Sequence, residues 1–128
     1  MGRLGSSGIL QRSKALALRA MHFFLDQPHD VPGQPMTRDM MRTVIELVAA
    51  LREADMAESD EQFGAWMGEA RDAARVTMGA LSMLQGDRPD AVEEIRAMHA
   101  SAGRLRDNCD QFLSGSRRWS ALDDSRGS

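Results

Sequence analysis

Histidine, cysteine and paired carboxylates are the side chains through which this chain could bind a metal or move a proton, and they are scattered along it. Histidine occurs at His22, His29 and His99, and cysteine only at Cys109. Helix-borne metal ligands need spacings such as His-x-x-x-His or Glu-x-x-His, and a zinc ribbon needs Cys-x-x-Cys; the chain has none of these. His22 has Asp26 one helical turn later, a spacing that suits a solvated surface pair worth about 0.2–0.5 kcal/mol. His29 stands in a proline-rich stretch with no helical geometry. His99 borders an apolar face beside Val92 and Ile95 and reads as a partly buried histidine bonded to a neighbour. No nucleophile, general base and orienting partner can be named together, so the reading is that this is not an enzyme and carries no cofactor or metal.

The similar pentapeptides Leu18-Arg19-Ala20-Met21-His22 and Ile95-Arg96-Ala97-Met98-His99 do not form a ligand unit. Their flanks differ, and an antiparallel pairing of the two helices leaves the histidines roughly 9 Å apart along the axis. Cys109 falls at a helical repeat position and reads as a core residue, and its solitude excludes an internal disulfide framework. The order of elements is similar to that of cytochrome c′, whose haem rides on the last helix. Around Cys109, however, the chain reads Arg106-Asp107-Asn108-Cys109-Asp110, without the first cysteine or the histidine of the covalent attachment signature.

The elements that position these residues are legible from apolar periodicity. Residues repeat three and four apart over Ile9 to Asp26, Thr37 to Met56, Asp60 to Leu84 and Pro89 to Leu113, which predicts four helices. Gln27 to Pro35 holds three of the four prolines and predicts the longest connection. Thr37 is expected to cap the second helix. Ser59-Asp60-Glu61-Gln62 has the capping-box pattern, Ser59 serving the Gln62 amide and the Gln62 side chain returning to Ser59. Gly86-Asp87-Arg88-Pro89-Asp90 combines a glycine stop with an Asp cap and a proline in the next first turn. Short links make helices two, three and four antiparallel neighbours. The expected core reads Met40, Met41, Val44, Leu47, Val48 and Leu51 on the second helix. On the third it reads Phe63, Met67, Ala70, Ala74, Thr77, Leu81 and Leu84, with Trp66, Ala73 and Ala80 flanking, and on the fourth Ile95, Met98, Ala102, Leu105, Cys109 and Phe112. The fold class is therefore all-α: a single antiparallel four-helix bundle over 9–113, with a flexible leader over 1–8 and a mobile tail over 114–128.

The first helix departs from this regularity. Its apolar residues spread over an arc of roughly 220°, about twice what a surface helix needs. Leu16, Ala20, Phe23 and Phe24 are accordingly read as a candidate interface with a second chain, a homodimer. Trp119 and Leu122, flanked by opposite charges in the tail, form a candidate docking peptide. The ten methionines suit either an irregular core or an adaptable binding surface. Trp66-Met67-Gly68 is similar to the W-x-G of small secreted helical hairpins, but lies inside a helix here rather than at a turn.

Composition bounds the rest. At 128 residues, 42% hydrophobic and 27% charged, the chain suits one ordinary soluble domain. No apolar run reaches the roughly 20 residues that span a bilayer, so no membrane span is expected. A net charge of −3 offers no general field for nucleic acid, which is not expected as a partner. Lys14 is the only lysine among 16 basic residues, a bias that fits a GC-rich bacterium or its phage. The basic, acid-free first 25 residues match a presequence in composition, and Met1-Gly2 with Ser6 matches a myristoylation pattern; the reading adopted is a basic leader running into an amphipathic helix in a reducing cytoplasm. The functional expectation is a small helical interaction protein, an adaptor, chaperone or regulator whose protein partner the sequence does not identify. The alternative is a bundle that holds haem, metal or an apolar molecule.

Overall fold

A computed structural model describes residues 2–26 and 34–126, with side chains over 2–26 and 35–115. Its helices are α1 (Ile9–Asp26), α2 (Gln34–Asp55), α3 (Asp60–Asp87) and α4 (Val92–Arg126), with a single 3-10 turn at Pro89–Ala91 before α4. No strand occurs among the described residues. The proline-rich connection and His29 lie outside them, apart from Gln34 and Pro35, which open α2.

The capping box forms with one change. Ser59 Oγ accepts from the Gln62 amide at 3.1 Å, while Gln62 Oε1 accepts from the amide of Glu58, not Ser59, at 3.0 Å. Thr37 is not a cap: α2 begins at Gln34, which places proline in its first turn, where a missing N–H costs nothing, and Thr37 is buried inside the helix. Gly86 is no stop either. It stays within α3, and the helix ends when Arg88 turns away ahead of Pro89, its amide still bonded to the Leu84 carbonyl.

Contacts fix the directions. Arg12 reaches Asn108 and Arg19 reaches Glu94, so α1 and α4 run oppositely. Phe63 meets Phe112 while Met78 meets Arg106, which opposes α3 and α4. Arg3 and Leu4 bond Asp55 while Phe24 shares a groove with Arg38, Met41 and Ile45, which opposes α1 and α2. α1 packs on α2 and α4, and α3 packs on the same two, so α1 and α3 occupy opposite corners of the bundle.

The core repeats the expected faces. Met40, Val44, Leu47, Leu51, Met67, Ala70, Ala74, Leu81, Leu84, Ile95, Met98, Ala102, Leu105 and Cys109 are all buried. Alanines at 70, 73, 74 and 80 let α3 approach its neighbours closely. One polar seam crosses this core: Thr43 Oγ1 and Thr77 Oγ1 lie 2.7 Å apart between α2 and α3, and each also contacts a carbonyl of its own helix, Met40 and Ala73. Two hydroxyl protons fill two of these three contacts at a time: whichever hydroxyl donates across the seam leaves its own carbonyl, and both oxygens still take part in a hydrogen bond.

Both ends differ from the flexible segments expected. From Gly2 the chain forms a turn held against the α2–α3 corner. Leu4 is buried, its amide donates to Asp55 Oδ1 at 2.9 Å, and Arg3 binds the Ala57 carbonyl at 2.8 Å and Asp60 at 2.7 Å. Gly5 and Gly8, at φ 54° and 75°, supply the left-handed backbone that turns this segment into α1. At the other end α4 continues through Arg126, about 20 Å beyond Leu113 by helical rise. No proline interrupts 114–126, and extending a helix already nucleated costs far less than starting one.

Candidate interaction face

The residues expected at an interface separate in the fold. Leu16 and Ala20 are buried in the core and cannot meet a second chain, because α1 turns this line toward α2 and α4. Phe23 is half-buried beneath Arg88, whose guanidinium carbon sits 5.3 Å from the ring centroid. Phe24 is half-buried in the groove between α1 and α2. Trp119 and Leu122 lie on the extended part of α4, and their side chains fall outside the described ones.

The exposed part of the wide arc is another line of residues. Leu18, Met21 and Leu25, three and four apart, run along the outer side of α1, all exposed. Beyond Phe24 the apolar surface continues onto α2 through Met41 and Ile45, the latter 58% exposed. The groove there has a volume near 390 Å³, with Arg38, Arg42 and Glu46 at its edge. On the other side of α2 a second groove, near 680 Å³, is lined by Ala49, Ala50, Ala73, Trp66 and Val76 and by four carboxylates, Glu46, Glu53, Glu69 and Asp72. Trp66 and Val76 are exposed. Every large apolar side chain exposed among the described residues belongs to α1, α2, α3 or Met56 just after α2, and none to α4. The outer surface of α4 instead shows Glu93, Arg96, Arg104, Asp107 and Gln111. Exposed large apolar side chains are therefore carried by three of the four helices, while the described outer surface of α4 is polar.

Sequence reasoning missed Leu18, Met21, Leu25 and Ile45 as surface residues, although the breadth of the α1 arc was their signal. Periodicity shows that an arc is too wide; it does not show which edge of it the neighbouring helices cover.

Two other concavities mix charged and apolar side chains. A cleft near 810 Å³ at the end of the bundle is lined by Arg3, Arg12, Asp60, Asn108, Gln111 and the edge-to-face pair Phe63–Phe112. Its charges are engaged: Arg3 with Asp60, and Arg12 with Asn108 at 2.8 Å. At the opposite end, between α1 and α4, His22, Asp26, Arg19, Glu94 and Arg88 border a groove near 550 Å³ together with Ala15, Leu18 and Phe23. Arg19 forms a two-toothed bond with Glu94 at 2.9 and 3.1 Å, and Arg88 does the same with Asp90 at 3.0 and 2.9 Å. The bond from Arg88 holds the Asp90 carboxyl below its ordinary value. Arg88 Nη1 is buried without a hydrogen-bond partner, and the guanidinium as a whole lies over the Phe23 ring face, which attracts a cation. No bond joins His22 to Asp26 among those described, and both are exposed.

Cys109 is fully buried, and burial pushes its thiol up to about 12, with Asp110 adding and Arg71 opposing. It is a core thiol rather than a nucleophile, since reactivity requires the thiolate. Among the described residues no three metal-ligating side chains converge, and no helix is long and apolar enough to cross a membrane. Comparison with protein-family models, with curated proteins and with solved structures gave no significant match.

Proposed function

We propose that this chain is a small non-enzymatic interaction protein, an adaptor, chaperone or regulator, that works through the outer face of α1, α2 and α3. The observation that carries the reading is the uneven distribution of exposed apolar side chains. Single exposed apolar residues are ordinary, whereas Leu18, Met21 and Leu25 in line on α1, Ile45 in the α1–α2 groove and Trp66 and Val76 in the α2–α3 groove make up the kind of surface that another protein covers. Methionine adds adaptability, because its unbranched thioether fills partners of differing shape, and Met21 and Met41 stand at this face. The single unreactive cysteine and the absence of a disulfide framework fit a reducing cytoplasm, and the arginine-rich composition fits a bacterial or phage source.

The test is site-specific photo-crosslinking in the host cell. A photoreactive residue at Met21 or Ile45 should give discrete adducts with a protein, whether this chain or another, while the same residue at Arg96 or Arg104 on α4 should not. Equal labelling at all four positions would sink the reading.

A further inference from the structure

We infer that the cleft where the N-terminal turn, α3 and α4 meet is a binding site for a planar aromatic molecule that carries a single carboxylate. Asn108, Gln111, Phe112 and Gly115 are spaced three and four apart, which turns them to one side of α4. The other walls are Arg12 near the start of α1, Asp60 and Phe63 in the first turn of α3, and Arg3 and Ser7 from the turn ahead of α1. The volume near 810 Å³ falls within the roughly 300–1,000 Å³ that small-molecule sites occupy. The cleft shares no lining residue with the grooves beside α2, so its ligand and a protein partner on the outer face use different surfaces.

Charge selects the anion. Arg3 and Asp60 pair at 2.7 Å and cancel. Arg12 is held differently: its Nη2 donates to Asn108 Oδ1 at 2.8 Å and to the Ser7 carbonyl at 3.4 Å, both neutral acceptors. It pairs with no carboxylate among the described residues, and its Nε and Nη1 make no described bond. The guanidinium is thus positioned without being neutralised, and its remaining donors suit a carboxylate, the anion that arginine takes through paired parallel bonds. With Arg3 and Asp60 cancelling, a single positive charge is left in the cleft, which matches a monoanion and disfavours a phosphate dianion beside Asp60. The apolar part has its own seat. Phe63 and Phe112 stand edge to face with centroids 5.8 Å apart, an arrangement that a further ring extends. Asn108 precedes Phe112 by one helical turn, about 6 Å along the axis, so an anion at Arg12 and a ring at Phe112 fit one rigid molecule of bicyclic size. Gly115 leaves the space open, since a Cβ there would meet nothing within 4 Å.

The probe is 2-naphthoate, added to the full chain in calorimetric and heteronuclear NMR titrations. It should bind with a dissociation constant of about 1 mM or tighter, the affinity a molecule of that size allows, and shift the side-chain amide signals of Asn108 and Gln111. 2-Naphthylmethylamine, the same ring with a cation, and acetate, the anion without the ring, should each bind about tenfold more weakly or worse. Arg12→Gln keeps a hydrogen-bonding side chain and removes the charge, and should weaken 2-naphthoate about tenfold. Gly115→Leu fills the cleft from a position with room for its Cβ and should abolish binding, while an otherwise unchanged amide spectrum reports that the variant is folded. The inference is overturned if 2-naphthoate binds more weakly than about 1 mM, or if the cationic analogue binds as well as the anion. It is equally overturned if either folded variant binds like the wild type, or if the shifts fall on Ile45 and Val76, which would put the ring on the outer face.

Discussion

Cys109 shows how burial alone decides the chemistry of a side chain. With the folded thiol raised to about 12 from an ordinary 9.0, the native protein should not react with a disulfide-exchange reagent at pH 8 and should react once unfolded in urea. The linkage has a definite sign. Below about pH 9 both states hold the proton and stability is unaffected; above it the unfolded chain releases the proton while the folded one keeps it, so stability falls up to about pH 12. Measured as the difference from Cys109→Ala, that alkaline loss should be present in the wild type only. The threonine seam gives a second test. In Thr77→Val the Thr43 hydroxyl keeps the Met40 carbonyl, so the loss should be that of one ordinary hydrogen bond, about 0.5–1.5 kcal/mol in urea unfolding. A loss above about 3 kcal/mol would mean that the seam is not satisfied in the way described.

At the level of elements, the two chain ends should behave oppositely on truncation. The turn over 2–8 buries Leu4 and ties Arg3 to Ala57 and Asp60. Removing residues 2–7 should therefore cost about 2–4 kcal/mol, the burial of one leucine plus a hydrogen bond, and lower the melting temperature by several degrees. Ending the chain after Gly115 leaves Cys109, Phe112 and Leu113 in place against the core. Calorimetry should find that variant within a few degrees of full length, with lower ellipticity from the lost helical turns. A large fall would place Trp119 and Leu122 in the packed structure. Helix boundaries agree with this division of labour: α4 passes its expected end because the chain offers no stop signal there.

For the whole molecule the expected outcome is a cooperative, strongly helical melt whose midpoint rises with protein concentration, because association stabilises the folded chain by mass action. Differential scanning calorimetry over a hundredfold range of concentration reads this directly, and a constant midpoint would indicate a monomer. The asymmetry of the bundle underlies the expectation. Over its described side chains α4 has a polar outer surface, whereas α1, α2 and α3 leave large apolar side chains exposed.

The sequence by itself determined the four helices, the buried faces of α2, α3 and α4 and the absence of recognised metal-ligand spacings, because these depend on local periodicity and on residues close along the chain. The Ser59 cap was legible for the same reason. Thr37 and Gly86 were misplaced as boundaries because proline at 35 can open a helix and glycine can remain in one when neighbouring contacts continue it. The candidate site was only half legible. The breadth of the α1 arc could be counted, but Leu16 and Ala20 were chosen where Leu18, Met21 and Leu25 are exposed. Which edge of a wide apolar arc meets solvent depends on where α2 and α4 sit around α1, and the pairing of Arg38 and Arg42 with one groove and Glu53 and Glu69 with the next depends on which helices are neighbours. Both are long-range facts, set by how four amphipathic helices share one core.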